Sequence, residues 1–106
     1  MTKFFVGLDL GQANDYTAIS ILDRVGDHLE NSYQVRHLER VRNVPYPEIV
    51  EKVGGMMRSP ALADQADLVV DQTGVGAPVV DLFRQAGLHL VGALIHGGDR
   101  VSYRSL

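Results

Sequence analysis

The stretch Phe4–Leu22, FFVGLDLGQANDYTAISIL, decides how the rest of the chain is read. Two apolar runs flank a polar turn containing Gly11, and one carboxylate, Asp9, stands between Leu8 and Leu10. Side chains alternate across a strand, so Phe4, Val6, Leu8 and Leu10 share one face while Phe5, Gly7 and Asp9 share the other. The acid is therefore off the leucine face and close to the C-terminal end of a strand over 3–10. Gly11 to Asp15 has the composition of a turn. Thr17 to Asp23 sets Ala18, Ser20 and Leu22 against Thr17, Ile19 and Ile21, which reads as a second strand.

Outward from this hairpin, the residues around Gly26 turn the chain again and 31–42 reads as a third strand with mixed faces. Short connections make an antiparallel meander the economical arrangement. The period then changes. In PYPEIVEKVGGMM (45–57), Ile49, Val53 and Met56 or Met57 fall on one helical face, and Pro47 suits the first turn. Gly54-Gly55 weakens the end of that helix by about 1–2 kcal/mol relative to alanines. DLVVD (67–71) reads as a strand ending in an acid. GAPVVDLFRQAG (76–87) reads as a helix with Val79, Leu82, Phe83 and Ala86 as its apolar stripe and Gly87 just beyond its end. HLVGALI (89–95) reads as a fifth strand and HGGDRVSYRSL (96–106) as loop. Three hairpin-linked strands followed by strand–helix–strand give an α/β fold: a five-stranded mixed sheet with packed helices.

At 106 residues and 45% hydrophobic content, one small domain over 1–106 is expected, with no repeat and no linker. The chain has no cysteine, which excludes disulfides and thiolate metal sites and favours a cytoplasmic setting. No apolar run approaches the ~20 residues of a membrane span, and MTKFF lacks a signal-peptide core, so a soluble, unprocessed chain without membrane partners is expected. The formal charge of −3 does not announce nucleic-acid binding. Arg36, Arg40 and Arg42 nevertheless cluster with His37, and Arg100 and Arg104 lie in the tail. Either this is a solvated edge or it is a phosphate-contacting surface.

Asp71 closes the fourth strand as Asp9 closes the first. In α/β sheets ligands bind beyond the carboxyl ends of parallel strands. If the two strands are neighbours, their carboxylates converge there and repel unless a cation intervenes. Hard divalent ions with oxygen ligands suit such a pair, and two of them support phosphodiester cleavage. The plainer reading is that each Asp caps a turn, Asp71 preceding Thr73-Gly74. Asp15 and Asp99 are further candidates on polar turns. His28, His37, His89 and His96 show no ligand spacing, and TGVGAP lacks the Gly-Lys-Ser/Thr ending of a P-loop.

FFVGLDLGQANDYTAISILD (4–23) followed by LVVDQTGVGAPVVDLFRQAGL (68–88) resembles the C-terminal nuclease domain of phage large terminase subunits. HLERV (37–41) and VGALIHGG (91–98) fall in the same order, so the resemblance runs through most of the chain. Its most specific part is the Asp-x-Thr-Gly-x-Gly stretch from Asp71 with the helix after it. The resemblance implies a ribonuclease-H-like fold: five strands, the first three antiparallel and the last two parallel to the first. It implies Mg²⁺- or Mn²⁺-dependent endonuclease activity on double-stranded DNA during genome packaging, in the cytoplasm of a bacterial host. Asp9 and Asp71 would be the catalytic, metal-holding acids, and Asp15 matches a recurrent acid of the family's first turn. Small terminase and portal would be partners of the parent protein. The family also places a third catalytic acid downstream of the fifth strand, near a C-terminal helix, and an ATPase domain with a Walker motif upstream. Neither is found in these 106 residues, so a C-terminally incomplete domain that cleaves poorly alone is expected. Alternatives are a non-catalytic terminase-derived interaction module or another ribonuclease-H-like nuclease such as a junction resolvase. An actin-like ATPase fragment shares the GLDLG start but needs a second subdomain that this length cannot supply.

Overall fold

The computed structural model of the chain describes residues 2–11, 15–26, 32–98 and 100–106. Asp99 and His28, two of the residues weighed above, lie outside them. In chain order the elements are β1 (Phe4–Asp9), β2 (Tyr16–Val25), β3 (Ser32–Arg42), α1 (Tyr46–Met57), β4 (Ala66–Asp71), α2 (Ala77–Gln85), β5 (Leu90–Ile95) and β6 (Val101–Ser105). A single 3-10 turn, Gln72–Gly74, links β4 to α2.

The sheet runs β3-β2-β1-β4-β5-β6. β1 pairs antiparallel with β2, and β2 with β3, while β4 lies parallel to β1 and β5 parallel to β4. The mixed α/β arrangement expected from the sequence is thus present, with one difference in strand number. Residues 101–105, read above as loop, form a sixth strand antiparallel to β5. His96 N–H donates to Arg100 O across the connecting turn, and Leu106 N–H donates to Leu90 O beyond the strand.

Alternation in β1 sorts its side chains as the sequence requires: Val6 and Leu8 are buried and Asp9 is exposed. The buried face meets Ile19, Leu68, Val70 and Leu90 of the neighbouring strands, with Ile49 and Val53 of α1 and Phe83 of α2 in the same cluster. α1 continues through Gly54-Gly55 to Met57, because tertiary burial of its apolar face outweighs the weak propensity there. α2 ends as its composition predicts. Gly87 takes φ +78°, and Leu88 N–H donates back to Phe83 O at 2.9 Å, closing a Schellman-type cap.

The β1–β2 turn is tied down by Gly11. Its N–H donates to Thr17 Oγ1 and its carbonyl accepts from the Tyr46 hydroxyl. A Cβ at Gly11 would sit 2.4 Å from the Tyr16 carbonyl oxygen, so only glycine fits. Among the described residues no helix is long and apolar enough to cross a membrane.

Candidate functional site

β1 and β4 are adjacent and parallel, with Leu8 opposite Val70. Asp9 and Asp71 follow that pair directly, so both leave the sheet at the C-terminal ends of neighbouring strands. Alternation turns both away from the helices, and both line one shallow cavity of about 310 Å³ on the uncovered face of the sheet. Ala18 of β2 and Ala93 of β5 flank them there, small side chains that leave the rim open.

The two acids are held differently. Asp71 Oδ1 accepts from Thr73 N–H at 3.0 Å and from the Thr73 hydroxyl at 2.7 Å, which caps the 3-10 turn. The turn reading of Asp71 and its place on the cavity rim are therefore both realised. Its Oδ2, and both oxygens of Asp9, have no hydrogen-bond partner among the described residues. Asp15 is exposed and lines a different cavity, about 400 Å³, with Gly11, Thr17 and Tyr46. The structure brings Asp9 and Asp71 together and leaves Asp15 apart.

As a donor set the pair is oxygen-only, anionic and solvent-facing, with unengaged lone pairs, which fits a hard divalent cation such as Mg²⁺ or Mn²⁺. Among the described residues no three His, Cys, Asp or Glu side chains group as metal ligands, so the pair stands as two carboxylates.

The central basic cluster divides. Arg36 lies at a register irregularity between β2 and β3 and turns toward Asp23, donating through Nε at 3.0 Å, with Nη2 at 2.9 Å from the same oxygen. Lys3 binds the other oxygen of Asp23. The Lys3 hydrogen bond, helped by Arg36, holds the Asp23 carboxyl below the ordinary carboxylate range against the opposing effect of burial. His37 Nε2 is 2.8 Å from Glu39, and Lys52 Nζ 2.9 Å from it; they likewise lower the Glu39 pKa. Arg40 and Arg42 belong to the uncovered face instead and gather on Tyr16. Sequence reasoning grouped these cations without Tyr16, although an aromatic next to a polar turn was a usable signal. It also passed over Asp23 as a site of charge pairing. His89 and His96 are paired with the hydroxyls of Ser105 and Ser102.

No protein-family model matches the sequence, and no curated protein does. Solved structures do match the fold. The large terminase nuclease from thermophilic phage G20c superimposes with a TM-score of 0.60 at 23% identity, over 83% of this chain and 42% of that one. RuvC of Thermus thermophilus superimposes with a TM-score of 0.50 at 14% identity, over 86% of this chain and 61% of that one. The match thus spans less than two thirds of either neighbour. With a meander leading into parallel β1, β4 and β5, and with these neighbours, the chain has the ribonuclease-H-like fold.

Proposed function

We propose that this domain is a terminase-type, Mg²⁺- or Mn²⁺-dependent endonuclease that hydrolyses phosphodiester bonds of double-stranded DNA, with Asp9 and Asp71 as its metal-holding acids. The observation that carries the reading is the placement of two carboxylates at the ends of adjacent parallel strands, on one open cavity. An oxygen-only pair of this kind suits a hard divalent cation. Asp71 is oriented by Thr73, which leaves its second oxygen to face the cavity. A divalent cation held by Asp9 and Asp71 would supply Lewis acidity toward a phosphoryl group. Asp9 and Asp71 do the positioning from strand ends, where backbone pairing limits their movement. Asp15, in its separate cavity, is not among the proposed ligands.

The direct test is thermal unfolding with and without millimolar Mn²⁺. Saturable binding stabilises the fold, by about 1.4 kcal/mol at tenfold over Kd. Wild type is expected to show this gain and Asp9→Ala to lose it. The reading is overturned if wild type gains nothing, or if Asp9→Ala gains as much. Cleavage of linear duplex DNA is expected to be slow, because a two-ion reaction needs more protein ligands than two carboxylates provide. What cleavage there is should vanish in Asp9→Asn.

A second reading is favoured by the Thr73 hydrogen bonds, which give Asp71 an ordinary capping role. On that view the chain is an interaction module without metal chemistry, and Mn²⁺ leaves its melting temperature unchanged. The likeness to RuvC supports a further variant of the nuclease reading with branched DNA as substrate. Comparing a four-way junction with a linear duplex separates the two.

A further inference from the structure

Asp9 pairs with Ala18 of β2, and Ala18 pairs with Arg40 of β3, so the three lie on one line across the sheet. Tyr16 pairs with Arg42 one step further along the same two strands. Residues two apart on a strand share a face, so Tyr16, Ala18, Arg40 and Arg42 stand on the same open face as Asp9. Strands lie about 4.8 Å apart, which puts Arg40 about 10 Å from Asp9, measured between backbones, with only the Ala18 methyl between them.

The two guanidinium groups converge on one ring. Arg40 Cζ lies 4.0 Å from the Tyr16 centroid and Arg42 Cζ 5.3 Å from it, a cation–π arrangement. A guanidinium held over a ring face is pre-positioned, and its fork of N–H donors matches phosphate oxygens. Tyr16 is itself 46% exposed, and Arg40 has no ion-pair partner among the described residues. The ordinary explanation for charges on an edge strand is protection against edge-to-edge pairing. It accounts for cations on β3 but not for their stacking on an aromatic of the neighbouring strand, in line with the acid.

We propose that Tyr16, Arg40 and Arg42 form a phosphate-backbone subsite that seats a nucleic-acid strand beside the Asp9–Asp71 cavity. This rests on the nuclease reading for its ligand, but it concerns binding and not cleavage. Arg40 and Arg42 are positioning residues: they hold backbone phosphates flanking the one presented to the acids, and Tyr16 fixes their orientation. The lane across Ala18 lets the strand pass from the cations to the rim.

The experiment is fluorescence anisotropy of a labelled duplex DNA titrated with the chain in EDTA, at several salt concentrations, so that no metal-dependent step contributes. Wild type is expected to bind with salt-dependent affinity. The double variant Arg40→Gln/Arg42→Gln is expected to bind about tenfold more weakly, with the slope of log affinity against log salt shallower by about 2. Tyr16→Leu should weaken binding, and Tyr16→Phe should restore it. Arg84→Gln, a cation on α2 at the opposite face, should change little. The proposal is overturned if wild type does not bind, if the double variant keeps the wild-type slope, or if Arg84→Gln weakens binding as much as the double variant does. Thermal unfolding of the double variant with Mn²⁺ keeps the two readings apart. A retained metal gain with unchanged DNA affinity sinks the subsite alone, and a lost DNA affinity without any metal gain in wild type sinks the metal site alone.

Discussion

The Asp71 carboxylate accepts two hydrogen bonds from Thr73, whereas Asp9 accepts none from a described residue. Without metal the two should therefore respond differently to truncation. Asp71→Ala removes a cap and is expected to cost about 1 kcal/mol, while Asp9→Ala is expected to be neutral or slightly stabilising through relief of repulsion. Urea unfolding in EDTA measures both. Alternation alone identified Asp9 as the odd residue of its strand, because that inference needs only local periodicity. Asp23 was illegible for the opposite reason. Its partners Lys3 and Arg36 come from the residue preceding β1 and from β3, and nothing near it in sequence announces them. Its folded-state pKa lies below its unfolded value, so its contribution to stability is present above about pH 4 and is lost as pH falls through the folded value. Glu39 carries the same sign. Stability followed by denaturant titration is expected to fall more steeply below pH 4 in wild type than in Asp23→Asn.

Among the elements, helices and central strands were legible because each carries a period and a stop signal. β6 was not. Val101, Tyr103 and Ser105 do alternate with Ser102 and Arg104, but all five are exposed, so no apolar face marks the strand. What holds it is pairing with β5 and the docking of Leu106, whose methyl groups would lie 3.0–3.1 Å from a Cβ at Gly92. The glycine pair of α1 also had a half-legible meaning. Gly54 is buried, but an added Cβ would meet the guanidinium of the exposed Arg58 at 2.9 Å, the far end of a side chain that can swing aside, so the position has only a weak packing reason. Gly55 faces open space and has none. Gly55→Ala is thus expected to stabilise the chain by about 0.5–1 kcal/mol, read as a higher melting temperature, without touching either cavity.

For the whole molecule, the decisive asymmetry is that both helices pack against one face of the sheet. The other face carries the acid pair, the arginine–tyrosine cluster and exposed apolar side chains such as Leu38 (70% exposed) and Tyr103 (66%). Sequence periodicity sorted β1 into an apolar face and an acid-bearing one, but that both helices lie on the apolar face follows from the crossover connections and not from any one strand. The parallel pairing of β1 with β4 has a consequence in time as well as in space. Asp9 and Asp71 are more than half the chain apart in sequence, whereas the β1–β2–β3 meander is built from near neighbours. Local pairings close at smaller entropic cost and form sooner than distant ones. A nascent chain that has made only its meander already displays Asp9 and the arginines of β3, but it has no second carboxylate beside them. On that ordering the acid pair forms only once β4 has joined β1, so any divalent-ion affinity it has would report that this long-range strand pairing is in place.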